Sequence, residues 1–157
     1  LIPGKRIWFF ATGTGFAPFA SLLREPQTYE DYDEVIITHT CREVGELTYG
    51  RDLIEGLKHD ELLNEVIGEG FWKKIKYYPT TTREESPKMG RITDLMRSGE
   101  AFKDLDVAPL NPDTDRAMIC GNLAFNLELK EMFEEYGLEE GANSKPAQYV
   151  VEKAFLD

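Results

Sequence analysis

The chain is poor in cysteine and histidine, with two of each among 157 residues. Cys41 and Cys120 lie far apart, so they offer neither a disulfide framework nor a metal-ligand cluster. Two free thiols suit a reducing compartment, and the cytoplasm is the expected location. No apolar run approaches the roughly 18 to 20 residues of a membrane helix, and no basic-then-apolar leader opens the chain; no membrane partner is expected. Positive charge is also scarce: 18 Lys and Arg stand against 29 Asp and Glu, for a net charge of −11. Such a chain is a poor ligand for nucleic acid, where phosphate neutralisation supplies most of the affinity. Internal repeats and low-complexity stretches are missing as well.

What is present is a core-forming composition, 41% apolar, in a length that suits one domain. Leu1-Ile2-Pro3-Gly4 runs abruptly into a strand pattern and reads as a linker turn, so a segment upstream is expected. Buried strands are expected over 5–11, 34–39, 74–78, 117–120 and 148–152, where apolar residues run nearly continuously or alternate. Helices are expected over 17–24, with Pro18 early in the first turn, and over 45–66, with one break. Further helices are expected over 91–97, ended by Ser98-Gly99, and over 123–136, closed by Gly137. Strand–helix alternation gives an α/β fold, a doubly wound five-stranded parallel sheet with helices on both faces. Such sheets bind ligands at the carboxyl ends of their strands.

The unusual residues all fall at that edge. Thr12-Gly13-Thr14-Gly15-Phe16-Ala17-Pro18 links a strand to a helix; glycines admit a phosphate to the backbone and the helix start favours its charge. Proline at 18 departs from the G-x-G-x-x-G pattern, and no Lys-Ser/Thr follows to make a Walker loop. Arg42, Arg83 and Arg91 each follow a strand or lie in the loop beyond it. Three guanidiniums there could clamp a phosphate dianion such as the adenosine 2′-phosphate of NADP; the alternative is surface pairing with Glu43, Glu84 and Glu85. Thr80 to Arg97 carries four cations, including Lys88 and Arg97, against three acids, which suggests a local anion site. The acid is concentrated instead over 128–140, with six Glu and one Lys. Thr80-Thr81-Thr82 supplies hydroxyls or merely ends a strand. Cys120, before Gly121, is either a small hydrophobe or a thiol packed on a planar ring. A Cys–His acyl-transfer site needs a base, for which His39 is the nearer candidate and His59 an exposed helical one. Glu152 ends the last strand, beside Lys153.

Gly13-Thr14-Gly15-x-Ala17-Pro18-Phe19, Cys41-Arg42, Thr80-Thr81-Thr82-Arg83-Glu84, Met89-Gly90-Arg91-Ile92-Thr93 and Cys120-Gly121-Asn122, in that order, resemble the ferredoxin–NADP reductase superfamily, and within it the bacterial ferredoxin/flavodoxin–NADP reductases. The resemblance runs from Pro3 to Phe155. It implies that residues 1–157 are an NADP(H)-binding domain whose FAD-binding barrel lies upstream, outside this chain; no Arg-x-Tyr-Ser signature is found here, so FAD is not expected to bind tightly. It maps the pyrophosphate and nicotinamide-ribose loop to Gly13, Thr14, Gly15 and Pro18, with Thr12 alongside, and the 2′-phosphate site to Arg42, Arg83 and Arg91 with Thr82. The nicotinamide pocket maps to Cys120 and Gly121, with Asn122 and Phe155 beside it, and a C-terminal acid near the nicotinamide to Glu152. Plant-type members end in a flavin-stacking tyrosine; here that position is Ala154, followed by Phe155-Leu156-Asp157, as in the bacterial type. The implied reaction is hydride transfer between NADPH and FAD, with single electrons passed to or from ferredoxin or flavodoxin by a monomeric enzyme, the isolated chain being inactive. A reductase serving an oxygenase or haem protein, and a non-catalytic nucleotide-binding module, remain alternatives.

Overall fold

The computed structural model describes residues 1–142 and 144–152, without the Thr14 side chain. Its centre is a five-stranded sheet: β1 (Arg6–Thr12), β2 (Glu34–Cys41), β3 (Ile75–Thr81), β4 (Asp115–Cys120) and β5 (Tyr149–Val151). The strand order is β3-β2-β1-β4-β5 and every pairing is parallel. The chain winds outward from β1 through β2 to β3, then returns to lay β4 against the free side of β1. The order therefore reverses between β1 and β4, where a doubly wound sheet opens a crevice at its carboxyl edge.

The near-continuous apolar run of β1 follows from its central place. Trp8 and Phe10 face one layer, built from α5 (Ile92–Arg97), α6 (Glu100–Leu105) and α7 (Leu123–Glu135). Ile7, Phe9 and Ala11 face the other, built from α1 (Phe16–Leu23), α2 (Pro26–Asp31), α3 (Thr48–Leu57) and α4 (Glu61–Val66). Phe9 stacks on Phe19 of α1 at 4.8 Å between ring centres, and Phe10 meets Phe133 of α7 edge-on at 5.2 Å.

Local chemistry sets the helix ends. Asn122 caps α7, its side chain accepting from the Phe125 amide at 2.9 Å, and Gly137 closes it at φ +84°. The helix expected over 45–66 is instead a 3-10 turn (Val44–Leu47) followed by α3 and α4, the latter capped by Asp60 accepting from Leu63 N at 3.0 Å. Gly99, at φ +85°, separates α5 from α6.

The buried charge sits at the amino edge of the sheet. Asp115, fully buried, receives Arg6 through Nε at 2.8 Å and a terminal nitrogen at 2.6 Å, the Thr114 hydroxyl at 3.0 Å and the Asn111 amide at 3.2 Å. Arg116 donates to the carbonyls of Ile2, Pro3, Pro112 and Asp115. This end is cross-linked; the opposite edge is left to glycines, threonines and exposed arginines.

Candidate nucleotide-binding cleft

A cleft of about 1150 Å³ opens at the carboxyl edge, over the β1/β4 switch point. Thr12, Gly13 and Gly15 enter it from the end of β1, and Gly121 and Asn122 from the end of β4. Arg42, Thr82, Arg83 and Arg91 form its other wall. Nine of the residues singled out by sequence thus line one cavity.

The glycines are there for different reasons. Gly13 adopts φ +44°, a left-handed conformation costly for other residues, with open space where a Cβ would stand. Gly15 has an ordinary helical conformation, φ −62° and ψ −8°, but its Cβ would lie 2.1 Å from the Cys120 carbonyl oxygen. Gly121 leaves room for the Phe125 ring and the Thr12 hydroxyl, which a Cβ would meet at 2.5 and 2.7 Å. The turn after β1 and the end of β4 therefore touch backbone to backbone.

The arginine wall is built by two loops sewn together. Beyond β2 and β3, the amides of Arg83 and Glu84 both donate to the Arg42 carbonyl, at 3.1 and 3.0 Å, and the Thr82 amide donates to the Cys41 carbonyl at 3.0 Å. The Glu84 carboxylate accepts from the Val44 amide at 3.0 Å. The loop after β3 is also braced internally: the Thr81 hydroxyl lies 2.6 Å from the Glu84 carbonyl and 2.7 Å from the Ser86 hydroxyl, and the Thr81 and Gly90 amides bond across its neck. These bonds bring the Arg42 and Arg83 side chains to one wall, both solvent-exposed and, among the described residues, without an ion-pair partner. Backbone donation of this kind requires β2 and β3 to run to Cys41 and Thr81, two and three residues beyond the sequence expectation.

Several expectations need correction. The pairing of the arginines with Glu43, Glu84 and Glu85 is not found: Glu43 belongs to a capping box with Glu46, and Glu84 binds the Val44 amide. Arg91 reaches across the cleft to Glu128 of α7 at 2.5 Å, a pair of which the Arg91 side chain is 66% exposed. An exposed pair of that kind contributes about 0 to 1 kcal/mol, too little to keep Arg91 from a stronger anion. The net positive charge of 80–97 is not a pooled anion site, because Lys88 pairs with Asp104 at 2.8 Å and Glu100 at 3.3 Å, and Arg97 with Glu135 at 2.9 Å. Pro18 lies in the first turn of α1, as expected, and does not line the cleft. Cys120 is buried beneath Gly15, 1% exposed, and is not a lining residue. The backbone of Thr14 belongs to the Gly13–Gly15 turn. Glu152 follows β5, its amide donating to the Ile119 carbonyl at 2.7 Å. Ala154 and Phe155, and Lys153 beside Glu152, lie outside the described residues.

The thiol chemistry argues against a hydrolase. Burial, with the Glu152 carboxylate adding to it, pushes the Cys120 thiol up to about 11, so it is protonated at neutral pH. His39 is not its base. Its Nε2 lies 3.1 Å from the Gly13 carbonyl and 3.4 Å from the Cys41 sulfur, and its Nδ1 lies 3.1 Å from the Tyr77 hydroxyl. Burial holds His39 below its ordinary range, against opposing pulls from the Gly13 carbonyl and Glu46. Among the described residues no group of three or more His, Cys, Asp or Glu is placed to hold a metal, and no helix is long and apolar enough to cross a membrane.

The cleft also has lining residues that sequence reasoning missed: Thr40, Glu46, Leu123, Phe125, Asn126 and Glu128. Asn126 keeps its side-chain oxygen buried without a partner among the described residues. Its position four residues after the Asn122 cap was legible as one helix turn, but nothing in the sequence placed that turn over the cavity.

Comparison with known proteins agrees with this geometry. The family model described as "Oxidoreductase NAD-binding domain" matches residues 9–130. A flavodoxin/ferredoxin–NADP reductase of Rhodobacter capsulatus is 62% identical over 99% of this chain and 56% of its own length. Ferredoxin–NADP reductase A of Sorangium cellulosum is 46% identical over 99% of this chain and 54% of its own. A ferredoxin NADP+ reductase from Neisseria gonorrhoeae, solved with bound FAD and NADP, superposes with a TM-score of 0.80 at 26% identity, covering 96% of this chain and 56% of that one. The chain thus spans about half the length of the curated relatives it matches.

Proposed function

This chain belongs to the oxidoreductase NAD-binding domain family, in its ferredoxin/flavodoxin–NADP reductase branch, and from that premise we propose that it is the NADP(H)-binding domain of a two-domain flavoprotein reductase. The observation that carries the reading is the stitched pair of loops, where one carbonyl, that of Arg42, accepts from Arg83 N and Glu84 N and brings two uncommitted guanidiniums to the wall facing the glycine turn. A ribose 2′-phosphate is a dianion with three acceptor oxygens, and planar guanidiniums bind it through paired N–H donors. Arg42, Arg83 and Arg91, with the Thr82 hydroxyl, are the residues assigned to it.

The Gly13–Gly15 turn and the start of α1 take the pyrophosphate, since no carboxylate or side-chain cap occupies that helix start. Gly121 and Asn122 bound the nicotinamide end, with the protonated Cys120 thiol beneath as packing rather than as a nucleophile. NADPH held by these residues would supply a hydride, and FAD on the rest of the protein would supply the chemistry that passes single electrons to ferredoxin or flavodoxin. What this chain contributes is distance and orientation. Glu152 is assigned to tuning charge near the nicotinamide. On this reading the domain spans residues 1–157 and the FAD barrel is supplied by the rest of the protein.

Calorimetric titration with NADP+, NAD+ and 2′-phospho-AMP tests the assignment. NADP+ binds more tightly than NAD+, and Arg83→Ala weakens NADP+ by about 1 to 3 kcal/mol, the scale of a charge-assisted contact, while NAD+ hardly changes. Equal losses for both dinucleotides would show that Arg83 does not read the 2′-phosphate.

A further inference from the structure

His39 is 1% exposed yet is committed to polar partners on both ring nitrogens. In register it lies between Ala11 of β1 and Pro79 of β3, directly below the glycine turn. Five neighbours confine it on four sides. Tyr77 of β3 meets Nδ1, the Gly13 carbonyl and the Cys41 sulfur meet Nε2, and Phe16, the first residue of α1, packs on the ring at 4.7 Å between centres. Gly50 of α3 closes the fourth side so tightly that a Cβ there would lie 2.9 Å from Nδ1 and 2.7 Å from the Tyr77 hydroxyl.

The network fixes the proton. A carbonyl oxygen can only accept, so a neutral imidazole must carry its hydrogen on Nε2 to serve Gly13, which leaves Nδ1 to accept from Tyr77. The consequence reaches the cleft through peptide geometry. The chain has no cis peptide among its described residues, and in a trans peptide the C=O and the following N–H point in opposite directions. With the Gly13 carbonyl held toward the imidazole, the amide of residue 14 is turned away from it. Gly13, at φ +44°, opens the 3-10 turn Gly13–Gly15, and the imidazole adds a side-chain donor to the carbonyl that begins it.

We propose that His39 is a positioning residue of the nucleotide site: its Nε2–H clamps the Gly13 carbonyl and so holds the backbone amides of the Gly13–Gly15 turn in the orientation that receives the pyrophosphate. The proposal rests on the assignment of the cleft to NADP(H) and specifies how that cleft is preorganised. His39 touches no ligand itself. It acts on the pyrophosphate half of the site and leaves the arginine wall, built by separate bonds between the loops after β2 and β3, untouched.

That division supplies the test. NADP+ uses both halves of the site, whereas 2′-phospho-AMP lacks the pyrophosphate. His39→Leu keeps the volume and removes the donor; His39→Gln places an amide N–H where Nε2–H was. Titration of the chain should show His39→Leu weakening NADP+ by about tenfold, with 2′-phospho-AMP within about twofold of wild type and His39→Gln recovering most of the loss. Parallel losses for the two ligands, wild-type affinity in His39→Leu, or no recovery by Gln would each overturn the proposal. If His39→Leu does not fold, the tautomer decides: long-range 1H–15N NMR on the wild-type chain should show a protonated Nε2 and a bare Nδ1, and the reverse refutes the clamp. A wild-type chain with no preference for NADP+ over NAD+ would instead sink the assignment of the cleft, an outcome read from the same titration.

Discussion

Gly15→Ala is the most direct probe of how the site is built. Its cost is not conformational, because Gly15 already has helical angles that alanine prefers. The added methyl would sit 2.1 Å from the Cys120 carbonyl oxygen and 2.9 Å from its carbon, where ordinary contact begins at 3.4 Å. The gap to be opened is therefore about 1.3 Å, the difference of the first and last of those distances. Neither side yields easily. Cys120 is held in the sheet by its pairing with Ala11, and the turn is continuous with β1 and with α1, whose Phe16 and Phe19 are buried. Overpacking against fixed backbone costs about 1 to 3 kcal/mol, and with no side chain free to move the upper half of that range is expected. For a domain of this size each kcal/mol lowers the melting temperature by about 2 to 4 °C, so a fall of roughly 5 to 10 °C should be measured by circular dichroism. The turn must also lift from β4, separating the two walls of the cleft; NADP+ affinity should drop by about tenfold or more, since hydrogen bonds weaken within a few tenths of an ångström of their optimum. Gly13→Ala is the matched control. Nothing lies within 4 Å of its Cβ position, so it loses only the roughly 1 to 2 kcal/mol of a left-handed residue. A Gly15→Ala protein as stable as wild type, or less damaged than Gly13→Ala, would refute the close-approach argument.

Two further outcomes follow from buried groups. Asp115→Ala strips partners from Arg6, Thr114 and Asn111 in a dry environment and should cost about 3 to 5 kcal/mol in urea unfolding, while the folded fraction keeps its NADP+ affinity because the pair lies at the opposite edge of the sheet; a loss under 1 kcal/mol would show the pair to be dispensable. Burial pushes the thiols of Cys41 and Cys120 up from 9.0 to about 11, so at pH 8 about one molecule in a thousand carries either thiolate; iodoacetamide labelling read by mass spectrometry should be slow and rise about tenfold per pH unit toward pH 11. The same shift makes the folded chain hold protons that the unfolded chain releases between pH 9 and 11, so this contribution is complete below pH 9 and is lost as pH rises through that window. Fast labelling at pH 7 would contradict both statements.

The sheet was largely legible in the sequence because its strands are buried on both faces and read as uninterrupted apolar runs. Their carboxyl ends were not: Thr40-Cys41 and Pro79-Thr80-Thr81 look like loop chemistry, yet they continue β2 and β3. The helices α2 and α6 escaped notice because six residues give too little periodicity to stand out. At the cleft, the glycines and arginines announced themselves by residue type and by following strands. Glu128 did not, since one acid among six in the stretch from 128 to 140 carries no sign of facing Arg91 across a cavity. His39 was visible only as a base in search of a nucleophile. Its partner is a main-chain oxygen, which every residue has and no sequence pattern distinguishes.

The loop after β3 has one more consequence. Its neck is tied by Thr81, Ser86 and Gly90, and its far end is moored to α6 by Lys88 through Asp104 and Glu100, so residues 82–85 project from a frame that holds itself. Glu84 aside, the tip can exchange its side chains without disturbing the sheet. On the proposed assignment, the share of dinucleotide preference that Thr82 and Arg83 carry is therefore one that a lineage, or a designer, can rewrite in a few codons while the rest of the domain stays as it is.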